Sequence, residues 1–217
     1  YISSFSEIIS PSQWLLNVHK QKGFFKKNKC QVVPNPFSYN GNIQEIKYTN
    51  TNKLFTFLYV GQIEPHKGIA ILTDSFKKII NQQLRLVIVG DGSKLQNLQD
   101  QNSDIRIEYQ GRQTSSSVKE IMKTANCLIV PSLCYENFPT VILEAISARL
   151  PVFGSGFGGI TELISNNQFL FEPTEEGIIE KLTWAFEYRD QLQNLFFTSD
   201  FNSNTISTAE YCQKLGL

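Results

Sequence analysis

Two glutamates, Glu136 and Glu144, are separated by seven residues within CYENFPTVILEAISARLPVFGSGFGG, residues 134–159. Pro139 suits the first turn of a helix, where its missing N–H has no partner to lose, and Val141, Ile142, Ala145 and Ile146 then form one apolar stripe. Glu136 therefore belongs to the loop before the helix, and Glu144 lies about five residues in, ~7–8 Å along the axis. That distance is too long for one shared proton. It suits two charge-assisted grips on hydroxyl-bearing parts of one extended ligand, although the same spacing also describes two solvated side chains.

A second candidate is YVGQIEPHKG, residues 59–68. Gly61 permits a tight turn, and Lys67 stands where the next helix begins, so helix amides and one ammonium could receive a dianionic phosphate. A solvated lysine on a first turn is the plainer alternative. GSGFGGITELI, residues 154–164, places four glycines ahead of a helix and would let backbone approach a ligand. VGDGSKL, residues 89–95, imitates a dinucleotide fingerprint, with Glu108 eighteen residues beyond Gly90. Leu95 occupies the third glycine's place, however, and the motif falls in the second strand unit, which argues against NAD.

These residues need a scaffold that gathers loops. Residues 54–61, 84–90, 105–111, 126–132 and 151–155 are short apolar runs, most of them ending at Gly or Pro, as buried parallel strands do. Between them, Ile69, Leu72, Phe76, Ile79 and Ile80 follow helical spacing, as do Val118, Ile121, Met122 and Ala125. The alternation predicts an α/β domain with a Rossmann-like, doubly wound parallel sheet. Such sheets bind ligands beyond the carboxyl ends of their strands, where the strand order reverses, and Gly61-Gln62, Gly90-Asp91-Gly92, Gly111-Arg112, Ser132 to Asn137 and Gly154 to Gly159 all lie just past a strand end.

Residues 1–37 read differently. EIIS suggests a strand, residues 11–27 a helix opened by Pro11 after Ser10, and CQVVPNPF a short strand broken by two prolines, with PNP as a hinge. The Asn- and Thr-rich residues 38–53 are expected to be a connecting loop. Beyond residue 174, two or three helices are expected, with a break at 198–204.

The 217 residues and 41% hydrophobic content suffice for a substantial core, and twenty basic residues balance twenty acidic ones. No overall field draws this chain to nucleic acid, so phosphate recognition must be local. Cys30, Cys127, Cys134 and Cys212 have no CxxC spacing and read as reduced thiols, Cys127 and Cys134 in the core, as in a cytosolic protein. No apolar run reaches membrane-spanning length. The first residue is Tyr1, and we expect a fragment of a longer chain.

Taken together, YVGQIEPHKG, LVIVGDGSKL, YQGR and CLIVPSLCYENFPTVILEAISARLPVFGSGFGGITELI, spanning residues 59–164, resemble the C-terminal half of a retaining GT-B glycosyltransferase of group 1 (family 4). Residues 1–37, with VVPNP, resemble the end of that family's N-terminal acceptor domain and its interdomain linker. Residues 38–217 would then be the nucleotide-sugar-binding domain, whose final helix may cross back to the N-terminal domain.

The resemblance implies that Glu136 contacts hydroxyls of the donor sugar and Glu144 the nucleotide ribose. It places Gly61, Gly90 and the backbone of Asn137, Phe138 and Thr140 beside the donor, and Lys67 on the departing diphosphate, where fixed charge lowers the barrier. Gln62 departs from the family pattern, which has arginine there. Arg112 is the candidate replacement, with His66 the weaker one, and Arg112 lining the base pocket is the alternative. The sequence contains no D-x-D, and neither a metal nor another cofactor is implied. The donor is a substrate, expected to be UDP-linked.

Retention is implied, with Glu136 either a nucleophile or a positioning group. The expected function is transfer of a hexose or N-acetylhexosamine to a saccharide or lipid-linked acceptor held mainly by the missing domain, in surface polysaccharide or lipopolysaccharide synthesis. The expected location is cytoplasmic, extending to the inner face of the membrane through peripheral association of the full-length enzyme. A non-catalytic nucleotide-sugar-binding module is the alternative, and an NAD-dependent oxidoreductase the remoter one.

Overall fold

The structure, a computed structural model, describes residues 5–37, 54–198 and 206–215. The N-terminal segment comprises β1 (Glu7–Ser10), α1 (Gln13–Gln21) and β2 (Lys29–Val32), with β1 and β2 paired in parallel as a two-stranded sheet. The helix starts two residues later than Pro11 suggested. Ser12 is its cap, in extended conformation with its side chain accepting from the Leu15 N–H, while the Ser10 hydroxyl turns instead to the Ser12 carbonyl. It also ends before Lys27, because Gly23 and Phe25 take left-handed backbone angles that no helix can continue through. β2 stops ahead of Pro34, and Pro36 makes a single parallel bridge to Ile206.

The main sheet takes its six strands from the runs expected to form it and one that was not. β3 (Phe55–Val60), α2 (Ile69–Lys78), β4 (Leu84–Val89), α3 (Leu95–Asp100) and β5 (Ile107–Gly111) build one half. After α4 (Ser115–Thr124), β6 (Cys127–Val130), α5 (Thr140–Ser147), β7 (Val152–Ser155), α6 (Ile160–Leu163) and β8 (Leu170–Phe171) build the other. The strand order is β5-β4-β3-β6-β7-β8, and every pair is parallel. The two-residue β8 is too short for an alternation signal.

Helices on the faces explain why the strands are apolar on both sides. Phe57, Leu58, Leu86, Cys127, Leu128, Val152 and Phe153 are all fully buried. The α2 stripe ends sooner than its spacing suggested. Ile79 is extended and Ile80 is 96% exposed. Arg106 holds this turn out of the helix by donating to the carbonyls of Ile79 and Asn81. The tail forms α7 (Glu175–Glu187), α8 (Leu192–Thr198) and α9 (Thr208–Leu215). The expected break at 198–204 lies, apart from Thr198, outside the described residues, as does the expected loop at 38–53. No helix among the described residues is long and apolar enough to cross a membrane.

Because the chain runs from β3 outward to β4 and β5, then returns to the other side of β3 with β6, the order reverses between β3 and β6. That is where a crevice opens in such sheets.

Candidate functional site

The loops after β3, β4 and β5 are bound edge to edge. The Gly61 N–H donates to Val89 O (3.0 Å), the Ile63 N–H to Asp91 O (2.9 Å) and the Gly90 N–H to Gly111 O (2.8 Å). Gly90 has φ 146°, and a Cβ there would lie 1.8 Å from the Gly61 carbonyl oxygen, so only glycine lets these loops meet. The Tyr59 hydroxyl, which burial pushes above its ordinary pKa with help from the Glu136 charge, donates to Gln62 O at 2.6 Å.

Together the loops border an open cavity of about 650 Å³ lined by Gly61, Gln62, Glu64, Asp91, Gly92 and Arg112. Gln62 and Arg112, expected to serve one crevice, do line the same cavity. Their company is acidic. Glu64 accepts from the Ser93 N–H and hydroxyl, both at 2.7 Å, and these bonds hold its carboxyl below the ordinary value.

At the reversal itself the packing is closer. Pro65–Lys67 forms a 3₁₀ turn ended by Gly68 in the left-handed conformation (φ 71°), where a Cβ would stand 1.8 Å from Pro131 O. The Leu133 N–H donates to His66 O at 2.8 Å, so the loops after β3 and β6 are locked together. Across this junction Lys67 Nζ lies 2.7 Å from Glu136 Oε1, and the Ser132 hydroxyl donates to the same oxygen at 2.7 Å. The two charged side chains retain only 23% and 16% exposure. Both bonds fall on Oε1; among the described residues Oε2 accepts none.

The Gly-rich loop approaches the chain itself rather than leaving a void. The Gly159 N–H donates to Glu136 O at 2.6 Å, and a Cβ on Gly159 would lie 2.1 Å from Asn137 O. Beyond this contact Asn137 is exposed, and Phe138 is a core residue. Pro139 caps α5 rather than entering it, and exposed Thr140 is its first residue. Glu144 follows one turn later, half-buried, its carboxyl pushed above the ordinary value by burial, with Lys119 opposing the shift.

Sequence reasoning thus found the ion pair's members without finding that they pair, and it gave no role to Ser132, Tyr59, Glu64 or Asp91. Ser132 had a weak signal, a hydroxyl four residues ahead of a loop carboxylate. Cys127 is buried with its thiol pushed well up, whereas Cys134, expected in the core, is only partly buried in the site loop. All four thiols are free, and no group of three or more His, Cys, Asp or Glu among the described residues could hold a metal ion. Glu108, the acid of the imitated dinucleotide fingerprint, is paired with Arg85 and bonded by Gln110.

The arrangement offers the Oε2 of a carboxylate to hydroxyls and, bonded to the other oxygen of that carboxylate at 2.7 Å, an ammonium to an anion, at the sheet's reversal. Comparison with known proteins gives the family and the fold in which this arrangement occurs. The family described as "Glycosyl transferases group 1" matches residues 42–196. A lipopolysaccharide 1,2-N-acetylglucosaminetransferase of Salmonella typhimurium is 28% identical over 211 residues, covering 87% of this chain and 55% of that protein. The UDP-Gal:alpha-D-GlcNAc-diphosphoundecaprenol alpha-1,3-galactosyltransferase of Escherichia coli is 30% identical over 163 residues, covering 66% of this chain and 41% of that one. The chain thus spans about half or less of the length of these curated relatives. Among solved structures, Anabaena HepE in complex with UDP and glucose superposes with a TM-score of 0.78 at 20% identity, over 97% of this chain and 62% of that one.

Proposed function

Starting from the fact that this chain belongs to the glycosyl transferases group 1 family, we propose that it is the donor-binding part of a retaining glycosyltransferase. In this reading it moves a hexose or N-acetylhexosamine from a UDP-sugar to a saccharide or lipid-linked acceptor, in the synthesis of a surface polysaccharide or lipopolysaccharide. Residues 1–37 are the end of the acceptor domain and its linker, and residues 38–217 the donor domain. The observation that carries the reading is the Lys67–Glu136 pair across the β3/β6 reversal. A UDP-galactose-using relative and a UDP-bound solved structure of the same fold support the choice of uridine.

Each residue has a physical role here. Glu136 Oε2 accepts hydroxyls of the sugar, while Oε1 stays held by Ser132 and Lys67. The Lys67 ammonium, with N–H groups to spare beyond its bond to Oε1, donates to a diphosphate beside the sugar, and the charge that develops as it leaves is met by a cation already in place. Arg112 adds a second cation from the neighbouring cavity, in place of the arginine that Gln62 replaces. Glu144 takes the ribose hydroxyls, with ionisation favoured once they supply the hydrogen bonds it lacks. Glu136 positions the sugar for same-face attack rather than forming a covalent intermediate. The donor is a substrate and no metal takes part.

Calorimetric titration with UDP, GDP, ADP and NAD tests the reading. UDP should bind tightest, and Lys67→Ala should weaken it. Preference for NAD, or binding of no nucleotide, overturns the proposal. A full-length protein that binds UDP-sugar but consumes none with any acceptor would establish the alternative, a non-catalytic binding module.

A further inference from the structure

The first-turn amides of α1 are held by one side chain of the sheet domain. Glu162, on α6, accepts the Gln13 N–H at Oε2 (3.0 Å) and the Trp14 N–H at Oε1. First-turn amides have no partners inside their own helix and carry the positive end of its dipole, so a carboxylate there is favoured twice. The first turn of α1 has no acidic residue of its own, so Glu162 supplies from the far side of the chain what the local sequence lacks.

The clamped end leads directly to the proposed sugar site. The Trp14 ring packs tilted, at 36°, on that of Tyr135 with centroids 4.9 Å apart, and Tyr135 immediately precedes Glu136. Tyr135 is 66% exposed, and the rings packed on it are those of Trp14 and, with centroids 5.5 Å apart, Phe157. On the opposite side the Gly159 N–H, at the head of α6, holds Glu136 O, and a Cβ on Gly158 would press within 3.1 Å of the Glu136 backbone. The loop of Glu136 is thus tied to α1 by two routes, one through packed aromatic rings and one through α6 and its carboxylate.

We propose that Glu162 is a positioning residue that, by clamping α1, fixes the Glu136 loop and so couples docking of the N-terminal segment to the orientation of the sugar-facing carboxylate. The proposal rests on the reading of Glu136 given above. Hydrogen exchange on the whole chain tests the coupling. Glu162→Ala should speed exchange about tenfold both in the first turn of α1 and in residues 133–138, leaving β4 unchanged, and Glu162→Gln should fall between. Trp14→Leu should speed the loop while leaving the clamp in place.

Calorimetry then separates function from structure. In Glu162→Ala, UDP-glucose affinity should fall while UDP affinity holds. If the first turn of α1 loosens but the loop does not in either variant, the coupling is overturned. Equal weakening of UDP and UDP-glucose overturns the link to the sugar. If the wild-type chain binds neither ligand, the donor reading fails by itself, and the exchange pattern still decides whether Glu162 holds the loop.

Discussion

The two loop clusters at the carboxyl ends of the strands differ in how much of their geometry is settled before any ligand arrives. At the β3/β6 junction Lys67 and Ser132 both donate to Glu136 Oε1, all three are little exposed, and backbone contacts leave no room for a Cβ at Gly68. At the β3/β4/β5 junction the backbone is just as tight at Gly90, but the side chains at the cavity rim are not tied to one another: Gly111 has nothing within 4 Å of a notional Cβ, and Gln62 and Arg112 are exposed around an open cavity. The first region is built as chemistry needs, preorganised and largely dry; the second is built to admit a group of some size.

The largest expected effect separates the regions by their glycines. Gly68→Ala must push Cβ into the Pro131 carbonyl and strain a left-handed residue, and should cost about 3 kcal/mol or more, with loss of UDP binding. Gly111→Ala, also left-handed (φ 64°) but in open space, should cost only ~1 kcal/mol. Urea midpoints of the two variants measure the difference. Equal losses would mean that the β3/β6 junction can relax and is not preorganised.

This contrast also explains what the sequence revealed. The central strands and α2, α4 and α5 were legible because burial on both faces or along one stripe leaves a periodic record, as at Phe57 and Leu58 or at Val118 and Met122. The site residues were legible as types, because Lys67, Glu136 and Arg112 follow strand ends. Their relations were not. Nothing in residue spacing shows that Lys67 and Glu136, 69 residues apart, meet at 2.7 Å, or that Glu162 serves α1 from 149 residues away. The stop of α2 before Ile80 was equally hidden, since it depends on Arg106 from another loop.

Next in size is the loss of a cation from each region. Lys67→Ala leaves a mostly buried carboxylate without its partner, and should cost ~1–3 kcal/mol of stability as well as roughly ten- to a hundredfold in UDP affinity. Arg112→Ala removes an exposed side chain, so stability should stay within about 0.5 kcal/mol while UDP affinity falls by about tenfold or more. Uridine binding should be unchanged in Arg112→Ala, because a phosphate contact touches only the diphosphate. Equal weakening of UDP and uridine would assign Arg112 to the base instead, and Gln62→Arg would then not rescue it.

The smallest effect concerns Glu144, which belongs to neither cluster and whose carboxyl burial holds above the ordinary value of 4.5. In the folded state it keeps its proton to higher pH than in the unfolded chain, so within the window above 4.5 the native state binds more protons. Stability therefore falls as pH rises through that window, and the loss is complete once the folded carboxyl has ionised. Glu144→Gln removes this decline without changing side-chain size, and should be slightly more stable than wild type at pH 7 yet match it near pH 4. The gain should be a fraction of what Lys67→Ala loses, since Glu144 is only half-buried and the Lys119 charge favours its ionisation. The same substitution should weaken UDP, because the neutral amide accepts ribose hydroxyls less strongly than a carboxylate does. Urea titrations between pH 4 and 8, with UDP calorimetry at pH 7, check both signs. A variant that follows the wild-type pH trend shows that Glu144 does not titrate in that window, and one that also binds UDP as well shows that it does not face the ribose.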